Sequence, residues 1–414
     1  MKKRNNISSV IFMLTAFIAI IICYVQQANA QTEQIINVEN GLIEAAPMAE
    51  NIGLMLDSKR TDSLAKFNIL DRMKIYNVPG VSIAVIKNFK LEWAKSYGVL
   101  ESGTSNMVTT ETLFQAASTS KPLATAIVLR LVEEGKLSLD EDVNTYLKSW
   151  KIPYDTIKSK VTLRLLITHK AGINRPGQGI DFEKNSSPTI IQVLNGELPA
   201  MNDPFHFDHA PGTFYQYSNS GYMIIQLVLE DYLKKPYKEI VQEYIFDPLK
   251  MKSSYMQFPL PTDVMAKLSK PHNQAGVPQE YGIHPSALAH AGLITTPSDL
   301  SKFAVELMLA SKGKSNKILK QESVNSIFNK TADVDPNEFS GFSQLGFGVF
   351  LLGEGEKKYF VHPGGNNSGA SCALFASESS GDGVIVMTNG IYGLYLSIEI
   401  IASVANEYGW RDIK

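Results

Sequence analysis

Ser118-Thr119-Ser120-Lys121 places a hydroxyl and an amine three residues apart. On a helix that spacing puts both side chains on one face. The apolar run Leu123 to Leu131 that follows predicts such a helix. A helix N-terminus favours developing negative charge through its macrodipole and free N–H groups. A serine there, with an amine in reach, is a candidate nucleophile whose proton has somewhere to go. Pro122 falls in the first turn, where a missing N–H costs least. The pattern alone is not selective, because Ser63-Leu64-Ala65-Lys66 and Ser311-Lys312-Gly313-Lys314 match it too. Phe114-Gln115-Ala116-Ala117 before Ser118 and the long apolar helix after it set this copy apart.

Two other segments carry usable chemistry. Tyr217-Ser218-Asn219 sits in a loop bounded by Pro211-Gly212 that runs into the predicted helix Tyr222 to Leu233. A phenol and an amide two residues apart on a loop can point into one cleft, the phenol relaying a proton and the amide orienting a substrate carbonyl. The plainer alternative is a turn in which Asn219 caps the helix. His362-Pro363-Gly364-Gly365 follows a strand-like run, and small residues there let a substrate backbone come close while free N–H groups face an oxyanion. The alternative is a glycine-rich hairpin turn with a solvated histidine. His290-Ala291-Gly292 repeats the H-x-G pattern.

Several residues suggest chemistry that their surroundings do not support. His206-Phe207-Asp208-His209 lacks an evident third ligand set for a metal. His169, after an apolar helix and near Gly172, reads as a helix C-terminal cap, and Asp299, after Thr296-Pro297, as a capping acid. Cys372 lies in an apolar run and reads as a small buried hydrophobe. No G-x-S-x-G or G-x-G-x-x-G motif is present, and Gly313-Lys314-Ser315 lacks the leading glycine of a G-x-x-x-x-G-K-[ST] loop, since Met308 stands there, which argues against an α/β-hydrolase elbow and a nucleotide site.

The elements that must position these residues alternate in kind along the chain. Val81 to Ile86, a turn at Asn88 and Leu91 to Ala94 form a hairpin pattern. Gly346 to Leu352, Tyr359 to Val361, Ser371 to Ala376 and Val384 to Thr388 are strand-like. Between the two groups, Pro122 to Glu134, Thr162 to Thr168, Tyr222 to Leu233 and Ser298 to Leu309 have helical periodicity, and a final helix spans about Leu394 to Tyr408. Strands at both ends with helices between predict one α+β domain: an antiparallel sheet built from both ends of the chain, flanked by helices, with a large helical insertion over about 135–290.

In this order the three chemical segments resemble the penicillin-recognising serine hydrolases: class C β-lactamases, D-Ala-D-Ala carboxypeptidases, D-aminopeptidases and related esterases. Leu163 to Ile173 is similar to that family's L-L-T-H-x-S-G-L segment, and Gly292 to Leu300 to its G-L-x-S-T-x-x-D-L segment. The resemblance covers about residues 65–410 and implies a β-lactamase/transpeptidase-like fold with no cofactor and no metal. It implies Ser118 as the acylated nucleophile, and Lys121 and Tyr217 as the pair that accept and return its proton, without saying which is the base. It implies Asn219 as a substrate-amide contact, His362 and Gly364 as substrate-side residues, and the N–H groups of Ser118 and Gly365 as an oxyanion hole. His362 stands where β-lactamases carry a lysine, so the resemblance leans toward the peptidase and esterase branches. The implied reaction is acyl transfer on small amides such as D-amino-acid peptides or β-lactams. The alternatives are a carboxylesterase on the same machinery or a non-hydrolytic acylated sensor.

The 414 residues carry 39 Lys+Arg against 41 Asp+Glu, a formal charge of −2, and 44% hydrophobic residues. That is an ordinary globular composition with no electrostatic case for nucleic acid. Lys2, Lys3 and Arg4, the apolar run Val10 to Tyr24 and the small-x-small site Ala28-Asn29-Ala30 read as a signal peptide over residues 1–30, followed by a lead segment over 31–64. The alternative is a retained anchor, against which the run falls short of the ~20 residues a span needs. Cleavage predicts a periplasmic or secreted protein with no stable membrane span, and the resemblance implies a small-molecule or short-peptide substrate. Cleavage would remove three cations from the formal charge of −2, giving −5, and leave Cys372 as the one cysteine.

Overall fold

The computed structural model describes residues 25–44, 65–154, 159–174, 188–334, 342–355 and 358–410. The basic and apolar parts of the expected signal peptide lie outside the described residues, and its cleavage site falls within helix α1, residues 25–39. Among the described residues no helix is long and apolar enough to cross a membrane.

Strand β1 (Leu42–Ile43) pairs with β2 (Lys66–Phe67), and helix α2 (Ile69–Ile75) follows. Next come β3 (Gly80–Lys87) and β4 (Lys90–Gly98), turned through Asn88 and Phe89 at φ 49° and 64°. Two positive φ values in succession give the primed turn that matches strand twist, with Asn in the position that tolerates it best. β5 (Phe114–Gln115) pairs with β6 (Ile294–Thr295) in a separate short ladder. Then β7 (Ala332–Asp333), β8 (Gln344–Leu345), β9 (Phe350–Leu352), β10 (Tyr359–Gly365), β11 (Ser371–Ser377) and β12 (Gly383–Thr388) return to the main sheet. Its order is β4-β3-β12-β11-β10-β9-β8-β7, and every pairing is antiparallel.

β3 explains why both ends of the chain close on one sheet. Its residues are buried on both faces, as its β-branched, apolar composition requires. Val81, Ile83 and Val85 enter one core with Leu396, Ile400 and Val404 of the C-terminal helix Gly393–Glu407. Ala84 and Ile86 enter another with Phe303 and Leu307 of helix Pro297–Ser311. Each branched side chain so buried contributes about 1.5–3 kcal/mol. Val38 of α1 and Leu42 of β1 also lie in the first core, so part of the lead segment packs on the sheet.

Helices α3 (Lys121–Glu133), α4 (Leu163–Ile167), α5 (Ile190–Asn195) and α6 (Asn219–Leu233) belong to the helical stretch and share the second core. The antiparallel sheet from both chain ends, flanked by helices, is as expected. One strand differs from expectation. Gly346 to Leu352 is not continuous, because the chain turns tightly at Gly346–Val349 between β8 and β9. Two-residue strands such as β7 and β8 carry no alternation to read.

Candidate active site

The chain leaves β5, turns through a 3₁₀ segment Ala117–Ser120 and enters α3. Ala117 takes φ 45°, a strained conformation that swings Ser118 out at the corner. Ser120 fixes the corner: its hydroxyl donates to Ala117 O at 2.7 Å and accepts the Leu293 N–H at 2.9 Å. One helical turn later Lys121 is fully buried, its Nζ 3.1 Å from Ser118 Oγ and 3.0 Å from His290 O. Burial holds this amine well below the ordinary lysine range. The rings of Tyr217 and Tyr222 lie 4.8 and 5.5 Å from Nζ, and the buried His290 ring, whose own basicity burial and Lys121 suppress, completes the surroundings. Nζ donates to both Ser118 Oγ and His290 O, and an amine that has given up its proton would keep the bond to His290 O and offer its lone pair to the Ser118 hydroxyl.

The loop carrying Tyr217 is pinned by His169. That residue follows α4 at φ 54°, the left-handed conformation of a helix end. Its carbonyl accepts the Gln216 N–H at 2.8 Å, its Nδ1 accepts the Ser218 N–H at 3.1 Å, and its ring lies 4.3 Å from that of Tyr217. Nδ1 as an acceptor places the ring proton of a neutral His169 on Nε2. The capping reading of Asn219 is replaced. Ser218 is the N-cap of α6, its hydroxyl accepting the Gly221 N–H, and Asn219 is the first helical residue. Asn219 Oδ1 is thereby left buried without a partner among the described residues.

β10 forms the opposite wall. Its side chains alternate between the two cores, Tyr359 and Val361 entering the first and Phe360 the second, so His362 and Gly364 share the face of Phe360. A Cβ on Gly364 would lie 2.1 Å from Ala116 O and 3.1 Å from Ser118 N, so only glycine lets this strand touch the serine corner. Thr119 Oγ1 donates to His362 O at 3.2 Å and fastens the contact. His362 itself is buried behind the wall, its Nδ1 2.8 Å from Pro363 O, and burial with nearby Lys121 lowers it to about 3. It is neutral at physiological pH.

Ser118, Tyr217, Asn219 and Gly365 line one cleft of about 510 Å³. Lys121 lies beneath it, and His362 and Gly364 support it without lining it. Sequence reasoning missed Gln274, Asn366 and Asn367 on its rim, and Ile391, Tyr392, Leu394 and Tyr395 on its far wall. Asn366 spends its polar atoms on the rim, accepting the Gly369 and Ala370 N–H groups on Oδ1 and donating to Gln115 Oε1. An asparagine followed by Gly369 after a strand signals such a turn.

No group of three or more metal-ligating side chains occurs among the described residues. His206 pairs with Asp208 at 3.0 Å, and Asp208 accepts from Gln216 at 2.6 Å. Asp299 accepts the Ser253 N–H at 2.6 Å and the Ser254 hydroxyl at 3.1 Å, tying a loop to its helix. Cys372 is buried on β11, its thiol pushed up to about 12 by burial.

Among solved structures, the D-amino acid amidase of Ochrobactrum anthropi SV3 superposes with a TM-score of 0.68 at 20% identity, over 82% of this chain and 96% of that one. Protein flp of Staphylococcus aureus (strain MW2) is 27% identical over 176 residues, 42% of this chain and 34% of flp. A putative D-alanyl-D-alanine carboxypeptidase of Escherichia coli O157:H7 is 27% identical over 209 residues, 45% of this chain and 46% of that protein. The matched stretch thus spans less than half of either curated relative. A model of the Beta-lactamase family matches residues 68–396, most of the sequence, and the chain belongs to that family.

Proposed function

We propose that the protein is an exported serine hydrolase that forms an acyl-enzyme on Ser118 and acts on small amides, D-amino-acid peptides foremost. The observation that carries this reading is the dehydrated Lys121 amine 3.1 Å from Ser118 Oγ at the floor of an open cleft. Ser118 Oγ attacks the substrate carbonyl carbon while its proton passes to Lys121 Nζ. The N–H groups of Ser118 and Gly365 receive the oxyanion. The tetrahedral adduct collapses, the carbonyl–nitrogen bond breaks, and the leaving nitrogen takes a proton relayed through Lys121 and Tyr217. Water then attacks the acyl ester, the acyl–Oγ bond breaks, and Ser118 recovers its hydrogen. The buried, partnerless Asn219 Oδ1 is suited to accept an N–H of the substrate.

A carboxylesterase on the same machinery is the second reading, and the neutral, buried His362 favours it. A histidine held there offers no cation to a substrate carboxylate, so an uncharged ester fits as well as an amide. For export, cleavage after Ala30 leaves Val38 and Leu42 in the core, so the mature N-terminus is expected at Gln31.

The test feeds purified protein and Ser118→Ala a p-nitrophenyl ester, a chromogenic β-lactam and a D-Ala-D-Ala peptide, following turnover and intact mass. Turnover lost in Ser118→Ala, with an acyl adduct on the wild type, is the expected result. Stable adduct without turnover would identify a sensor instead. Neither adduct nor turnover on any substrate would refute the hydrolase reading. Mass spectrometry of protein recovered from the cell exterior or periplasm reads the mature N-terminus.

A further inference from the structure

The far wall of the cleft is made by the start of the C-terminal helix. Ile391, Tyr392, Leu394 and Tyr395 all line it and are partly exposed, whereas Leu396 beside them is buried in the core. Partly exposed apolar side chains gathered in a cleft mark a place where a ligand covers them. Leu394 Cδ1 comes within 3.5 Å of the Cβ position of Gly365, so this wall begins beside the candidate oxyanion hole. The Tyr392 and Tyr395 rings meet edge to face at 6.0 Å.

The wall is braced from behind. Tyr395 stacks on Tyr76 at 6.2 Å, nearly parallel at 17°. Tyr76 donates to Glu399 Oε1 at 2.6 Å, and Arg72 grips both Glu399 oxygens at 2.8 and 2.6 Å while donating to the Tyr76 oxygen at 3.0 Å. Glu399 and Arg72 are both buried, and Glu399 stands one helical turn beyond Tyr395 on the same face. An ion pair of this kind is costly to break, so it fixes Tyr76 and through it the Tyr395 ring.

We propose that Tyr392, Leu394 and Tyr395 form a specificity wall that takes an aromatic or branched apolar group of the substrate next to the scissile carbonyl, with Tyr76 as its positioning residue. The proposal rests on the serine-hydrolase reading for its setting. Binding without chemistry separates the two.

In Ser118→Ala, where no acyl-enzyme forms, N-acetyl-phenylalaninamide is expected to bind more tightly than N-acetyl-alaninamide. Adding Tyr395→Ala should shrink that difference about five-fold, the scale of one lost aromatic contact. On the Ser118 protein, kcat/KM is measured for p-nitrophenyl acetate against phenylacetate, and for the methyl against the benzyl ester of one acyl group. The ratio within the acyl or the leaving-group pair should fall in Tyr395→Ala, through KM, and the affected pair identifies the side that meets the wall. Tyr76→Phe keeps the ring and loses the Glu399 bond. It should lower the same ratio less than Tyr76→Ala does, whereas a merely structural role would lower every substrate alike. Equal binding differences and unchanged ratios in Tyr395→Ala would overturn the wall. Absence of turnover with the binding difference intact would overturn the hydrolase reading and leave the wall standing.

Discussion

Replacing Lys121 by methionine tests the centre of the mechanism, because activity and stability should move in different directions. Methionine matches the stem of lysine but supplies no proton acceptor, so Ser118 loses the group 3.1 Å from its hydroxyl. A positioned general base contributes about 10²- to 10⁴-fold, and kcat on a p-nitrophenyl ester should fall by that factor. The stability argument runs through the amine's lowered proton affinity. In the unfolded chain Lys121 is charged below its ordinary value near 10.4. In the fold burial disfavours that charge, so at neutral pH the unfolded state binds the proton more strongly and folding is penalised. Methionine removes the penalty and leaves His290 O without its donor, a loss of about 1–3 kcal/mol. The two effects oppose each other, so denaturant midpoints should stay level or rise while turnover collapses. Lys121→Arg should not rescue, since a guanidinium does not give up its proton. In the wild type the acid limb of kcat/KM should lie well below the ordinary lysine range. Activity of Lys121→Met within ten-fold of wild type, or an acid limb near 10, would refute the assignment.

Two further outcomes follow from the β10 wall. Gly364→Ala drives a Cβ to 2.1 Å from Ala116 O, so the strand must part from the serine corner. Acylation of Ser118 measured by intact mass should fall at least as far as in the loss of one oxyanion donor, about 10²-fold. His362 makes the fold acid-sensitive. Its folded value of about 3 lies below the ordinary 6.5, so its contribution is complete above 6.5 and is lost as pH falls toward 3. The slope is about 1.4 kcal/mol per pH unit for one proton. His362→Gln should flatten the decline of ΔG between pH 6 and 4 in urea titrations, and an unaltered slope would assign the acid loss to other groups.

What the sequence revealed and hid follows the reach of its patterns. The Ser118–Lys121 pairing was legible because an i, i+3 pair needs only one helical turn, here the 3₁₀ segment running into α3. Ser311-Lys312-Gly313-Lys314 has the same letters, yet Ser311 ends its helix, bonds to Met308 O, and its Lys314 lies over the Phe89 ring. A match at the end of a helix cannot place both groups on one face, and that distinction was available from the apolar runs. The inward turn of His362 was also within reach, since a period of two puts it with Phe360 and Gly364. The cleft's far wall was not. Leu394 and Tyr395 stand at the start of the expected final helix, and they reach the cleft only because β12 pairs with β3 some 300 residues earlier in the chain, setting that helix against the sheet beside β10. Chemistry tied to one helical turn can therefore be read from spacing. Specificity assembled across the sheet depends on pairings that no local pattern states, and for this chain the substrate question turns on that wall.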